Sequence, residues 1–150
     1  MSERSEVRMI DVGDKPVTRR RARAGVRVRL APAVVAHIRA GTLPKGDVLG
    51  VARVAAITGS KQTPALLPLC HPLALTHVSA TLDLDDEGVA IEVVCETTGQ
   101  TGVEMEAMTA CAVAALCVYD MTKGIDATGH IESLVLLEKE GGKSGHWVRP

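Results

Sequence analysis

TGVEMEAMTACAVAALCVYDMTKG, residues 101–124, holds the longest helical signal in the chain. Thr101 followed by Glu104 matches a capping box, in which the hydroxyl accepts from the third helical N–H and the glutamate reaches back. Gly124 supplies a stop, because glycine adopts the left-handed turn that ends helices. The predicted helix therefore covers residues 102–123 and is about 33 Å long. Its middle, AMTACAVAALCVY, carries no charge and is apolar on every side. A helix apolar all round is buried all round. In a domain of 150 residues that burial is easiest when a second subunit covers part of the helix, so an oligomer is expected.

The polar residues of this helix sit at its ends. Capping accounts for Glu104. Glu106, two residues on, projects roughly 200° away and cannot share that work. Asp120 and Lys123 are three apart and so neighbours on one face. They form either a surface ion pair or an acid/base pair in which the lysine steadies the carboxylate or gives up a proton. Because Asp120 follows the apolar run directly, partial desolvation of its carboxyl is expected. Glu106 and Asp120 are about 21 Å apart along the axis. A site using both needs a long ligand or contributions from different subunits.

Around this helix the remaining patterns are mixed. VRVRL, residues 26–30, alternates apolar and charged residues as a half-buried strand does, with Arg27 and Arg29 outward. Pro32 suits the first turn of a helix running to Ala40, and Gly41 its end. A second helix follows the proline-led turn at PKGDV, with Asp47 near its start. THVSATLDL and VAIEVVCE read as strands joined by the turn DDEG, and HIESLVLLEKE as a late strand before GGKSG. Between them LPLCHPLAL, residues 67–75, places Cys70 and His71 on a bend stiffened by Pro68 and Pro72, an ordered irregular connection. One domain spanning residues 1–150 is expected, with residues 1–8 disordered.

The chain carries 17 basic and 18 acidic residues for a formal charge of -1, which argues against a whole-molecule match to nucleic acid or an anionic membrane. Locally, RRRARAGVRVR holds six arginines, Arg19, Arg20, Arg21, Arg23, Arg27 and Arg29. A nucleic-acid module built on them would lack stacking aromatics, since the chain has no Phe, one Trp and one Tyr. The amino-terminal stretch has no signal-like apolar run, and a soluble cytoplasmic protein without membrane contact is expected. Cys70, Cys95, Cys111 and Cys117 form no C-x-x-C, so zinc is not expected, and the thiols read as small hydrophobes. GGKSG fails as a phosphate loop, because Leu137 stands where glycine is required and too little chain follows to form the helix. It still offers Lys143 on a flexible loop. With Lys45, Lys123, His71 and the arginines, it makes a set of cations suited to a polyanionic small molecule. A nucleotide hydrolase would need acidic metal ligands that the sequence does not group.

KGDV, LLPLCHPL, TGVEMEAMTA, YDMTK and GGKSG, in this order and at these separations, resemble the cyclic pyranopterin monophosphate synthases, accessory proteins of molybdenum cofactor biosynthesis. The likeness runs from Met9 to Trp147. It implies an α+β fold, a ferredoxin-like antiparallel sheet with helices packed on one face, assembled as a homohexamer, a trimer of dimers with active sites at subunit interfaces. It also implies a lyase reaction in which a cyclised dihydroguanosine triphosphate becomes cyclic pyranopterin monophosphate and diphosphate. On that likeness Asp120 and Lys123 are the catalytic pair. Leu69, Cys70, His71, Glu104, Met105 and Glu106 fall on substrate-contacting positions, and Lys45 and Lys143 on phosphate- or pterin-facing ones. No resident metal or cofactor is implied, although a triphosphate can bring magnesium with it. The sequence departs from the pattern at TGQTG, where Gln100 replaces a frequent lysine, and at Gly124, where alanine is common.

Overall fold

A computed structural model describes residues 5–150. The element order is β1 (Thr18–Arg29), α1 (Pro32–Ala40), α2 (Val48–Lys61), the single turn α3 (Thr63–Leu66), β2 (Leu75–Asp85), β3 (Gly88–Gly99), α4 (Glu104–Thr122), β4 (His130–Glu140) and β5 (Trp147–Val148). The sheet order is β2-β3-β1-β4-β5, with antiparallel pairing throughout. Helical crossovers follow β1 and β3, so the first four strands have the ferredoxin-like arrangement. β5 is a short addition at the β4 edge. Residues 1–4 of the stretch expected to be disordered lie outside the described residues; residues 5–8 are exposed and without regular structure.

Alternation assigns the two faces of the sheet. In β1, Ala22, Ala24, Val26 and Val28 are buried toward the helices. Arg19, Arg21, Arg23, Arg27 and Arg29 occupy the other face, as a side-chain period of two requires. Val89, Ile91, Val93 and Cys95 of β3 continue the buried layer, and α4 lies across β1, β3 and β4. The core is aliphatic, with Ile91 and a set of valines as its largest fully buried members.

Helix α1 begins and ends where proline and glycine place it, with Gly41 in the left-handed conformation at φ 67°. Helix α2 is capped by Asp47, whose side chain accepts from the Gly50 N–H at 3.0 Å. α2 and α4 approach closely because small residues line the crossing: a Cβ at Gly59 would lie 2.9 Å from Cβ of Val113. α4 is shorter than the sequence predicts. Val103 occupies the position before its first turn, and no side chain caps it, so the Thr101–Glu104 capping box does not form. The Glu104 carboxylate turns back over Gly102 instead and lies 3.7 Å from Lys139 Nζ. Lys123, still right-handed, follows the last helical residue.

By length and composition α4 could cross a membrane. In this fold it is the central core helix, packed between the sheet and α2. It is not buried all round, because Leu116 is 58% exposed. With Val51, Val54 and Leu66 also exposed, the outer side of the helical layer is apolar. A groove of about 450 Å³ runs there between α2, α3 and Val113.

Candidate active site

The proline-bounded bend is fixed at both ends. Cys70 N–H donates to Leu67 O at 3.1 Å, closing a turn. The buried Thr97 hydroxyl on β3 donates to Ala74 O at 2.5 Å. These anchors set Leu69, Cys70 and His71 against the first turn of α4. Together with Glu104, Met105 and Glu106 they line a cavity of about 320 Å³, which Ile10, Val12 and Lys15 also line. An adjoining depression shares His71 and Val12 and includes Gln100. Six predicted site residues from two distant stretches are thereby brought together.

Glu106 is the unusual member. It is 3% exposed, and burial in this apolar wall pushes its carboxyl up to about 7, against the slight help of its own backbone N–H. Cys70 is raised as well, first by burial and then by the charge of Glu106. A raised thiol is a poor nucleophile. Cys95 and Cys111, deep in the core, are pushed up to about 12 by burial, and all four cysteines are free.

A second cluster forms at the far end of α4. Asp120 Oδ1 accepts from Lys123 Nζ at 2.9 Å, and its Oδ2 accepts from Lys45 Nζ at 3.0 Å. The link to Lys45 joins the turn before α2 to the end of α4. The expected desolvation of Asp120 is absent in the single chain, where its side chain is 53% exposed. Hydrogen bonds from Lys123 and then Lys45 hold its carboxyl below the ordinary range, and the bond to Asp120 raises Lys123. Asp120 lies in the last turn of α4, beyond the apolar run, on the exposed side of the helix. Lys143 stands in neither cluster; it is exposed on the loop between β4 and β5, where Gly141 and Gly142 pack on Arg19 and Arg20.

The arginine run lies apart from both clusters. Arg19 pairs with Glu96 at 3.1 Å, Arg23 with Glu92 at 3.2 Å, and Arg27 with Asp85 at 2.6 Å. Arg21 and Arg23 share Glu138, each at 3.3 Å, and Arg29 pairs with Glu132 and Glu87. Arg20 alone turns inward and donates through Nε to Gly99 O at 3.1 Å. Glu138, Glu140 and His146 lie close enough to share an ion, but Glu138 already serves two arginines, and the group lies away from the cavity.

Sequence reasoning missed the amino-terminal wall. Nothing local in residues 10–15 announces a pocket, and the segment reaches one through tertiary placement, with Gly13 and Lys15 carbonyls accepting from Gln100.

Comparison with known proteins adds identity to this geometry. The chain is 50% identical to a cyclic pyranopterin monophosphate synthase of Syntrophomonas wolfei, over 99% of this chain and 96% of that protein. It is 52% identical to one of Chloroflexus aurantiacus, over 95% and 89% respectively. It is 54% identical over 95% of its length to a molybdenum cofactor biosynthesis bifunctional protein of Synechococcus elongatus, and spans 45% of that longer protein. The family model described as the MoaC family matches residues 9–142, which include the bend, both ends of α4 and the lysine before α2, and the chain belongs to that family.

Proposed function

We propose that this protein is a lyase of molybdenum cofactor biosynthesis, converting (8S)-3',8-cyclo-7,8-dihydroguanosine 5'-triphosphate to cyclic pyranopterin monophosphate and diphosphate. The observation that carries the reading is the nearly end-to-end identity with two proteins bearing the synthase name.

In this reading Asp120 and Lys123 move the protons that ring opening and pterin formation require. Leu69, Cys70, His71, Glu104, Met105 and Glu106 hold the cyclised nucleotide, and Lys45 and Lys143 meet its phosphates or pterin. The cyclic phosphate closes when a substrate hydroxyl forms a new bond to the α-phosphorus and loses its proton to a base. The bond from that phosphorus to the departing diphosphate breaks. Cations stabilise the charge that grows on the diphosphate. Magnesium, where present, travels with the triphosphate.

The separation of the two clusters supports an assembly. One end of α4 from one protomer and the other end from its neighbour form each site within a homohexamer, a trimer of dimers. The exposed apolar groove along α2 and α4 supports burial of this layer on assembly. Closing a neighbour over Asp120 desolvates it and moves its pKa toward neutrality, as proton transfer requires. The enzyme works in the cytoplasm without nucleic-acid or membrane partners, and the pairing of the arginines with acids of neighbouring strands supports that view.

The test is a single-turnover assay of purified protein on the cyclised nucleotide. Wild type should form cyclic pyranopterin monophosphate, while Asp120→Asn and Lys123→Ala should lose roughly a hundredfold or more in rate. Wild-type protein that leaves the nucleotide unchanged would refute the assignment.

A further inference from the structure

Residues 11–15 are folded against the cavity as a compact arm. Asp11 Oδ1 accepts from the Gly13 N–H at 2.8 Å, and the Lys15 N–H donates to Val12 O at 3.0 Å. These turns direct the Gly13 and Lys15 carbonyls toward the loop between β3 and α4. There one side chain meets both: Gln100 Nε2 donates to Gly13 O at 3.0 Å and to Lys15 O at 3.2 Å. An amide nitrogen has two hydrogens, so one group satisfies both acceptors. The next tie toward β1, from Arg20 to Pro16 O, is 3.5 Å long and correspondingly weak.

The arm forms a wall. Val12 and Lys15 line the same cavity as Cys70, His71 and Glu106, and Val12 and Gln100 line the adjoining depression with His71. Apart from Lys15 and His71, the polar side chains lining the main cavity are Cys70, Thr101 and two glutamates. An anionic ligand would therefore depend on the arm for much of its compensating charge.

We propose that Gln100 is a positioning residue, whose amide latches residues 11–15 over the cavity so that Val12 closes its wall and Lys15 supplies a cation to it. The ligand side of this inference rests on the synthase reading; the latch itself does not. A carboxylate of the same shape would set negative charge against two carbonyl oxygens and release the arm. A lysine, one bond longer and also a multiple donor, would hold it.

Two measurements test this on the full chain. Hydrogen exchange of ligand-free Gln100→Glu should be at least tenfold faster over residues 12–15, with β1 and α4 unchanged, while Gln100→Lys stays close to wild type. In turnover of the cyclised nucleotide, Gln100→Glu should raise KM about tenfold, equivalent to about 1.4 kcal/mol, with kcat within roughly twofold of wild type. Gln100→Lys should restore KM. Unchanged exchange in Gln100→Glu would overturn the latch. Faster exchange with a wild-type KM, or a fall in kcat and melting temperature with KM unmoved, would overturn its positioning role. An inert wild type would sink the synthase reading instead, and exchange alone would then decide the latch.

Discussion

Replacing Glu106 by glutamine should make the protein more resistant to unfolding as the solution becomes more alkaline. The carboxyl is buried, and its value of about 7 stands above the ordinary 4.5. Between those two values the folded state binds more protons than the unfolded chain, so stability falls as pH rises through the interval. Above both, holding the charge costs about 3 kcal/mol, and about 2.5 kcal/mol of that develops between pH 5 and pH 8.5. Glutamine has the same shape and no charge to lose. Urea unfolding at fixed protein concentration should show Glu106→Gln gaining on wild type by roughly this amount across the range. For a chain of this size that corresponds to a widening of the melting-temperature separation by about 5–10 °C between pH 5 and pH 8.5. Any constant cost of the amide cancels, because only the slope with pH is read. Cys70 gives an independent readout: its thiol is raised partly by the Glu106 charge, so the variant should react faster with a disulfide reagent at pH 8. Parallel pH–stability curves, together with unchanged Cys70 reactivity, would refute the reasoning.

Other expectations follow from the same geometry. Asp120→Asn and Glu106→Gln chains, dissociated and reassembled one to one, should recover roughly one quarter of wild-type activity if each site draws its two ends from different protomers; the absence of recovery in verified mixed oligomers counts against shared sites. Lys45→Ala removes one of the two cations that hold Asp120 low, so the acid limb of the pH–kcat profile should move to higher pH, and a fixed limb would contradict the role of that bond. Cys70→Ser should retain substantial turnover, whereas a well-folded but inactive variant would make the sulfur essential. Gly59→Ala should destabilise by about 1–2 kcal/mol despite alanine's better helix propensity, because the new methyl meets Val113 Cβ at 2.9 Å; a higher melting temperature would show that the helices can separate without cost.

Local chemistry made some of this structure legible in the sequence. Pro32, Gly41 and Asp47 place helix ends through interactions within a few residues, and the DDEG turn pairs its flanking strands directly. β1 was legible only from Val26 onward. Its first half continues the alternation, but alanine marks the buried face weakly, and the inward-facing Arg20 interrupts it with a charge. The capping box failed because the chain enters α4 at Val103, two residues later than the motif places it. In the candidate site, spacing alone set Glu106 at one end of the helix and Asp120 with Lys123 at the other, whereas the meeting of Leu69, Cys70 and His71 with the first end was expected only from the family resemblance. The contact of Lys45 with Asp120 and the arm over the cavity could not be anticipated, since they depend on how distant segments meet in the sheet and helix layers.

The alternation of arginine with alanine and valine along β1 also constrains which strand pairing can form. Sliding β1 by one residue against β3 would drive guanidinium groups into the aliphatic layer and lift alanines into water. A two-residue slide would keep every side chain on its proper face and still set Arg23 opposite Glu92 or Glu96, so the ion pairs leave that slip to be rejected by the packing of the aliphatic layer.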